Sequence, residues 1–139
     1  MSPLRFALAA TLVGPLLFGG VAAATDWEVH ADAEVVEVVT TDAGGAKRKT
    51  KVWMAVLDGE AYIRTGGSTW GQNVERDANV RILAGSEGYD LRAEFVTDDA
   101  ARERITKAFR VKYGWFDRLV SPIRGGRPKI MRLVDRGDE

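Results

Sequence analysis

The apolar positions between residues 34 and 96 follow the spacing of β-strands. Lys51 to Leu57 contains a continuous apolar run, which suits a strand covered on both faces. Tyr89 to Phe95 alternates apolar and polar side chains, the period of a strand with one buried face. Asp58-Gly59 is the strongest hairpin turn in the chain. The pattern predicts five strands, at residues 34–41, 51–57, 60–65, 79–84 and 89–95.

A helical period replaces the strand pattern after residue 98. Apolar side chains recur at helical spacing from Ala101 to Phe109, Asp98 or Asp99 is placed to cap the helix, and the helix is expected to end near Gly114. A further helical turn fits residues 115–120, and residues 129–134 form the last predicted strand. The fold class that follows is mainly β with a C-terminal helix, a small antiparallel β-barrel of about six strands.

The first 24 residues have the pattern of a secretory signal peptide. Arg5 precedes an apolar stretch from Phe6 to Val21, and small residues follow at the positions of a cleavage site. We expect cleavage after Ala24 and export to the periplasm or the extracellular space. Because the apolar stretch approaches the length of about 20 residues that spans a bilayer, an uncleaved anchor is the alternative. Residues 25–139 are then one domain, with no membrane partner after cleavage.

Composition excludes several classes of function. The chain has 20 basic and 20 acidic side chains, so binding to nucleic acid is not expected. There is no cysteine, which rules out thiolate chemistry and disulfides. His30 is the only histidine, so neither a typical zinc site nor a Ser-His-Asp triad is expected. No side chain stands out as a catalytic acid or base, and the catalytic residues are left unassigned.

The segment from Arg64 to Trp70 combines a cation, hydroxyls and glycines directly after a predicted strand. Backbone N–H groups freed by glycine, together with a guanidinium, suit an anion such as a phosphate. Residues 47–51 add a second run of cations. Each feature has a purely structural alternative, because Gly66-Gly67 is also a turn and exposed cations on an edge strand protect it against aggregation.

These segments resemble the split β-barrel flavin-binding superfamily of the pyridoxamine phosphate oxidase type. The resemblance covers about residues 35–134 and is greatest to the branch of deazaflavin-dependent nitroreductase relatives. One departure is Asn79-Val80, where that family usually has Asn-Pro. The matching residues are Val52-Trp53-Met54-Ala55-Val56, Asp58-Gly59, Tyr62-Ile63-Arg64-Thr65, Gly67, Trp70, Asn73 and Ala78-Asn79-Val80-Arg81-Ile82.

The resemblance implies a small antiparallel split β-barrel that binds FMN or the deazaflavin coenzyme. It places the ligand's phosphate at the opening of the second strand and on the loop after the third, and it implies a homodimer. Trp70 would lie beside the cofactor, and Asn73 would lie on a short insertion; the alternatives are a core anchor and a helix cap. The cofactor-binding residues implied are Lys47, Arg48, Lys49, Thr50, Arg64, Thr65, Gly67, Ser68, Trp70 and Asn73.

Two functions are consistent with this sequence. The first is an exported flavin- or deazaflavin-binding protein, in which the cofactor supplies the redox chemistry for a small-molecule substrate. The second is a non-catalytic exported binding module that keeps the barrel and has lost the cofactor. Export favours the second, because deazaflavin and reduced nicotinamide are cytoplasmic reagents.

Overall fold

A computed structural model describes residues 24–114 and 128–136. Within these ranges it contains seven β-strands, two α-helices and one short 3₁₀ turn, Trp27–His30. The strands are β1 (Val36–Thr41), β2 (Lys47–Val52), β3 (Met54–Leu57), β4 (Glu60–Thr65), β5 (Asn79–Ala84), β6 (Glu87–Phe95) and β7 (Lys129–Asp135). The helices are α1 (Thr69–Arg76) and α2 (Asp99–Tyr113).

All seven strands form one antiparallel sheet, in the order β2-β1-β5-β6-β7-β4-β3. The two strands at its edges, β2 and β3, are joined in sequence by Trp53 alone. A sheet whose opposite edges are neighbours in the chain must curl until those edges meet. The result is the curled sheet of a split β-barrel, with a helix on each side.

The seventh strand corrects the sequence prediction, which treated residues 51–57 as one continuous strand. The apolar run is divided at Trp53, because Val52 pairs with Val36 in β1 whereas Met54 pairs with Ile63 in β4. Both halves contribute apolar side chains to the same core, and no glycine or proline marks the break. The division is therefore set by which strand each half pairs with, a long-range property.

The local signals for turns and caps are confirmed. Asp58 and Gly59 have φ values of 53° and 80°, as a tight hairpin turn requires. The Asp98 carboxylate accepts a hydrogen bond from the backbone N–H of Ala101 at 2.8 Å and caps α2. Gly114 ends that helix with a φ of 65°.

The inner face of the sheet holds the main core. Side chains from the middle of the strands, such as Val38, Ile82 and Leu91, are buried there. Trp70 and Val74 of α1 join this core, and Trp27 closes it from the N-terminal segment. Helix α1 begins where it does because Ser68 caps it, accepting a hydrogen bond from the N–H of Gly71.

The outer face of β3, β4 and β7 carries a second, smaller core beneath α2. Ile105 and Phe109 of the helix pack against Ala55, Tyr62 and Ile130. This arrangement follows from the helical period of the sequence, which placed Ile105 and Phe109 on one face. The sheet is therefore covered by α1 on its inner side and by α2 on part of its outer side.

Some sequence predictions fall outside the described residues. The leader up to residue 23 and the helical turn at residues 115–120 lie in parts of the chain that are not described. Across residues 24–114 and 128–136, no helix is long and apolar enough to cross a membrane.

Candidate functional site

The predicted anion-binding residues of the second strand lie at an edge of the sheet. Lys47, Arg48 and Lys49 are exposed on β2, and Thr50 is half-buried. Lys47 Nζ donates a hydrogen bond to Thr41 Oγ1 at 2.9 Å. We call Lys47, Arg48, Lys49 and Lys51 the cationic strand. Among the described residues no carboxylate forms an ion pair with any of the four.

The predicted loop site is divided between the two faces of the sheet. Arg64 and Thr65 are neighbours in β4, so their side chains point in opposite directions. The guanidinium carbon of Arg64 lies 4.0 Å from the ring centroid of Phe109, on the side of α2. Thr65 is buried on the side of α1. Arg64 therefore does not share a pocket with the hydroxyls that follow it, and the strand period already contained that signal.

The hydroxyls of the loop hold the start of α1. Thr65 Oγ1 and Ser68 Oγ are 2.6 Å apart, and Ser68 caps the helix. Gly67 has a φ of 94°, which glycine adopts without strain. A Cβ on Gly71 would lie 2.8 Å from the Thr65 methyl carbon, so the helix approaches the strand this closely only with glycine there.

Trp70 and Asn73 fasten α1 to the sheet. Trp70 is 6% exposed within the main core. Asn73 is 2% exposed; its amide nitrogen donates to Thr40 Oγ1 at 3.2 Å, and its amide oxygen accepts from Arg76 at 3.2 Å. Both side chains are thus engaged with protein partners. Neither presents a free surface to a cofactor ring in this conformation.

A cleft of about 680 Å³ lies elsewhere, between α2, β3 and the segment Ala31–Asp32. We call it the α2 cleft. Its apolar wall includes Leu57 and Ala55 of β3 and Ala108 and Val111 of α2. Its charged side chains are Asp32, Asp58, Arg104, Lys107 and Lys112. The volume lies in the range of about 300–1,000 Å³ that is typical of small-molecule sites.

Lys112 and Tyr113 form hydrogen bonds with the backbone of Met54, at the edge of β3 that has no neighbouring strand. Lys112 Nζ donates to the carbonyl of Met54 at 2.6 Å, and the Tyr113 hydroxyl accepts from the Met54 N–H at 3.1 Å. Burial lowers the pKa of Lys112, and the nearby Asp32 carboxylate opposes that shift. Burial also raises the pKa of Tyr113. The two side chains therefore close a sheet edge that would otherwise expose its backbone groups.

An aromatic column stands beside this edge. The rings of Trp53 and Tyr113 are stacked, with centroids 4.1 Å apart and planes 4° apart. Phe109 continues the column, with its ring centroid 6.1 Å from that of Tyr113, and the Arg64 guanidinium lies over the Phe109 ring. Sequence reasoning missed both this column and the α2 cleft. Arg104, Lys107 and Val111 do share one helical face in the sequence, but that pattern does not say which strand faces it.

His30 belongs to a polar cluster at the start of the domain. Its Nε2 lies 2.8 Å from the hydroxyl of Tyr89, which donates a short hydrogen bond to Glu87. That bond raises the pKa of Tyr89 to about 12. No group of three or more histidine, cysteine, aspartate or glutamate side chains in the described part of the chain is arranged to hold a metal ion.

Comparison with known proteins places the chain in a sequence family. Residues 27–131 match the model of a family described as "Uncharacterized protein conserved in bacteria (DUF2255)". A search of the curated proteins found no match.

Solved structures share the fold. The heme storage protein HutZ from Vibrio cholerae is 13% identical, with a TM-score of 0.66 over 80% of this chain and 87% of HutZ. An F420-H2 dependent reductase, FDR-A, is 19% identical, with a TM-score of 0.60 over 73% and 94% of the two chains. A putative pyridoxamine 5'-phosphate oxidase from Listeria innocua is 14% identical, with a TM-score of 0.58 over 78% and 89%. These structures confirm the split β-barrel fold that the resemblance implied, and at these identities the likeness establishes the fold alone.

Proposed function

The chain belongs to the DUF2255 family of bacterial proteins, and we propose that it is an exported small-molecule-binding protein whose ligand is a flavin or deazaflavin nucleotide. The cationic strand holds the phosphate of that ligand. In this proposal the cofactor supplies redox chemistry on a small organic substrate, while the protein supplies position and charge.

The single observation that carries this proposal is the charge distribution on β2. The whole chain is neutral, with 20 basic and 20 acidic side chains, yet four cations lie within five residues of one edge strand. In the described residues none of them has a carboxylate partner. Cations that are not already neutralised bind a phosphate most strongly.

The fit of a flavin to the other predicted residues is only partial. The loop from Gly66 to Ser68 still offers backbone N–H groups, but the hydroxyls of Thr65 and Ser68 bond to each other. Trp70 and Asn73 are buried and engaged. These contacts favour the second candidate function, a binding module of the same fold without a catalytic cofactor. Two structural neighbours are described as a heme storage protein and as an F420-H2 dependent reductase. For this reason heme and deazaflavin are included among the ligands to be tested.

Export after cleavage at Ala24 is part of the proposal, and the N-terminal segment supports it. The backbone nitrogen of Thr25 lies 3.2 Å from one carboxylate oxygen of Asp135, and its hydroxyl donates to the other at 2.6 Å. Cleavage after Ala24 turns that nitrogen into an α-ammonium group beside a carboxylate. The intact mass of protein recovered from the periplasm should correspond to a chain that begins at Thr25; a retained leader contradicts this part.

We also propose that the protein forms a homodimer. The support is the family resemblance together with the outer edge of β2, which has a strand on only one side in the described sheet. Size-exclusion chromatography with light scattering is the direct measurement. A monomer at all concentrations would remove the dimer and leave the ligand proposal standing.

The deciding experiment is a titration of purified protein with FMN, with the deazaflavin coenzyme and with hemin, followed by ligand fluorescence or absorbance and by the thermal midpoint. A ligand at 100 times its Kd stabilises the folded state by about 2.7 kcal/mol, which is easily measured. We expect one flavin-type ligand to bind and hemin to bind more weakly.

Two variants locate the site. Lys47→Gln with Lys49→Gln should weaken the nucleotide about tenfold, because two charge-assisted contacts to phosphate are lost. Lys107→Gln, which removes a cation outside β2, is the matched control and should leave the affinity unchanged. Equal effects of the two changes, or no flavin binding at all, would refute the proposed site. Arg64→Ala is a poorer test, since it also removes the contact with Phe109.

A further inference from the structure

The α2 cleft combines an apolar wall with an excess of one positive charge. Arg104, Lys107 and Lys112 face two carboxylates, Asp32 and Asp58. Arg104 is paired with Asp58, with 3.6 Å between nitrogen and oxygen. None of these residues belongs to the cationic strand. The cleft is therefore a separate place on the molecule.

Two of the three cations, Lys107 and Lys112, form no ion pair with a carboxylate among the described residues. Lys112 Nζ gives one hydrogen bond to the carbonyl of Met54 and lies 5.1 Å from the centroid of the Tyr113 ring, and the Asp32 carboxylate is nearby. No second hydrogen-bond acceptor of its ammonium group is found in the described part of the chain. A partly buried ammonium group in that situation is stabilised by an incoming anion, since burial has removed water that the protein replaces only in part.

The apolar wall of the α2 cleft favours an anion that carries a hydrocarbon group. Val111 is 77% exposed, the most exposed of the large apolar side chains described, and Ala108 lies one turn before it on the same side of α2. The opposite wall is formed by the half-buried Leu57, with the buried Ala55 behind it. An apolar body between these walls would remove exposed hydrocarbon from water at about 25 cal/mol per Å². A small, fully hydrated anion would gain none of this.

We propose that the α2 cleft binds a monocarboxylate with an apolar body, its carboxylate between Lys107 and Lys112 and its hydrocarbon between α2 and β3. The volume of about 680 Å³ accommodates such a ligand. This site is independent of the proposed nucleotide site. It would make the protein a carrier or sensor of an organic acid, whether or not a flavin binds elsewhere.

The test uses decanoate as the probe and isothermal titration calorimetry as the measurement. Decanoate should bind with a negative heat-capacity change, the mark of buried apolar surface. Acetate has the charge without the chain and 1-decanol has the chain without the charge, so both should bind at least about tenfold more weakly. Equal affinity for decanoate and 1-decanol, or no heat from decanoate at millimolar concentration at two well-separated temperatures, would overturn the proposal.

Variants distinguish this site from the nucleotide site. Lys107→Gln should weaken decanoate about threefold, as expected for an exposed pair, and Lys112→Met about tenfold. Because Lys112 also holds β3, Lys107→Gln keeps the test valid if Lys112→Met is unstable. Lys47→Gln with Lys49→Gln should leave decanoate affinity unchanged. Decanoate binding that responds to β2 and not to Lys107 would overturn the inference, whatever the nucleotide titration gives.

Discussion

The hydroxyl of Tyr113 offers the sharpest test of how the barrel is held closed. It accepts a hydrogen bond from the Met54 N–H at 3.1 Å, and it lies 2.9 Å from the carbonyl oxygen of Glu34 and 3.1 Å from that of Met54. A phenol has one proton, so it donates to one carbonyl at a time. Tyr113→Phe removes these bonds and keeps the ring that stacks on Trp53.

The expected loss of stability in Tyr113→Phe follows from the backbone groups that lose their hydrogen-bond partner. Met54 is fully buried, and its N–H loses the acceptor that the hydroxyl provides. An unsatisfied buried donor costs about 1–3 kcal/mol. The carbonyl of Met54 keeps its bond to Lys112, so its loss is small. Because Tyr113 is half-buried and water reaches part of the space, we expect about 2 kcal/mol of lost stability.

The measurement is urea denaturation with thermal unfolding as a check. For a domain of this size, about 2 kcal/mol corresponds to a fall in the thermal midpoint of roughly 8 °C. Tyr62→Phe is the matched control, because the Tyr62 hydroxyl makes only a long bond of 3.4 Å to Glu60. Tyr62→Phe should lower the free energy of unfolding by less than about 0.5 kcal/mol. If the two variants are equally stable, the hydroxyl of Tyr113 does not hold the edge of β3.

Three further outcomes are expected. A change from glycine to alanine inside a helix usually stabilises it by about 1 kcal/mol. Gly71→Ala should instead lower the free energy of unfolding by about 1–2 kcal/mol in urea denaturation, because the added Cβ would lie 2.8 Å from the Thr65 side chain. A gain in stability would contradict this packing. Asn73→Ala should lower the free energy of unfolding by about 2 kcal/mol in the same assay, since the buried Thr40 hydroxyl loses its donor; unchanged stability would show that this hydrogen bond does not hold α1 to the sheet. In a spectrophotometric titration Tyr89 should ionise near pH 12, because its bond to Glu87 favours the neutral form. The stability linked to that shift is complete below pH 10 and is lost as the pH rises towards 12; Glu87→Gln should bring the Tyr89 pKa back towards 10, and no change would refute the assignment.

Much of the candidate site was not predictable from the sequence, and Arg64 shows why. Its residue type and the glycines that follow it suit an anion, and that chemistry is local. The direction of the Arg64 side chain is not a local property, because the guanidinium lies over the ring of Phe109, on a helix far along the chain. Ser68 was predicted from its residue type to bind a phosphate, and the local sequence does not show that its hydroxyl also caps a helix whose position depends on the core. The cationic strand was found from the sequence because charge concentration on one strand is visible there.

The sequence by itself determined most elements of this protein: all of its strands except the two formed by residues 47–57, the hairpin at Asp58-Gly59, the cap at Asp98 and the mainly β class. Those features depend on residues that are close in the chain, where periodicity and turn chemistry operate. Only the tertiary structure decided that residues 51–57 serve two strands, that Thr65 and Asn73 bond inward, and that α2 and β3 enclose a cleft. Each of these depends on a partner brought near by the closing of the sheet, and one sequence does not encode the identity of such partners in any local pattern.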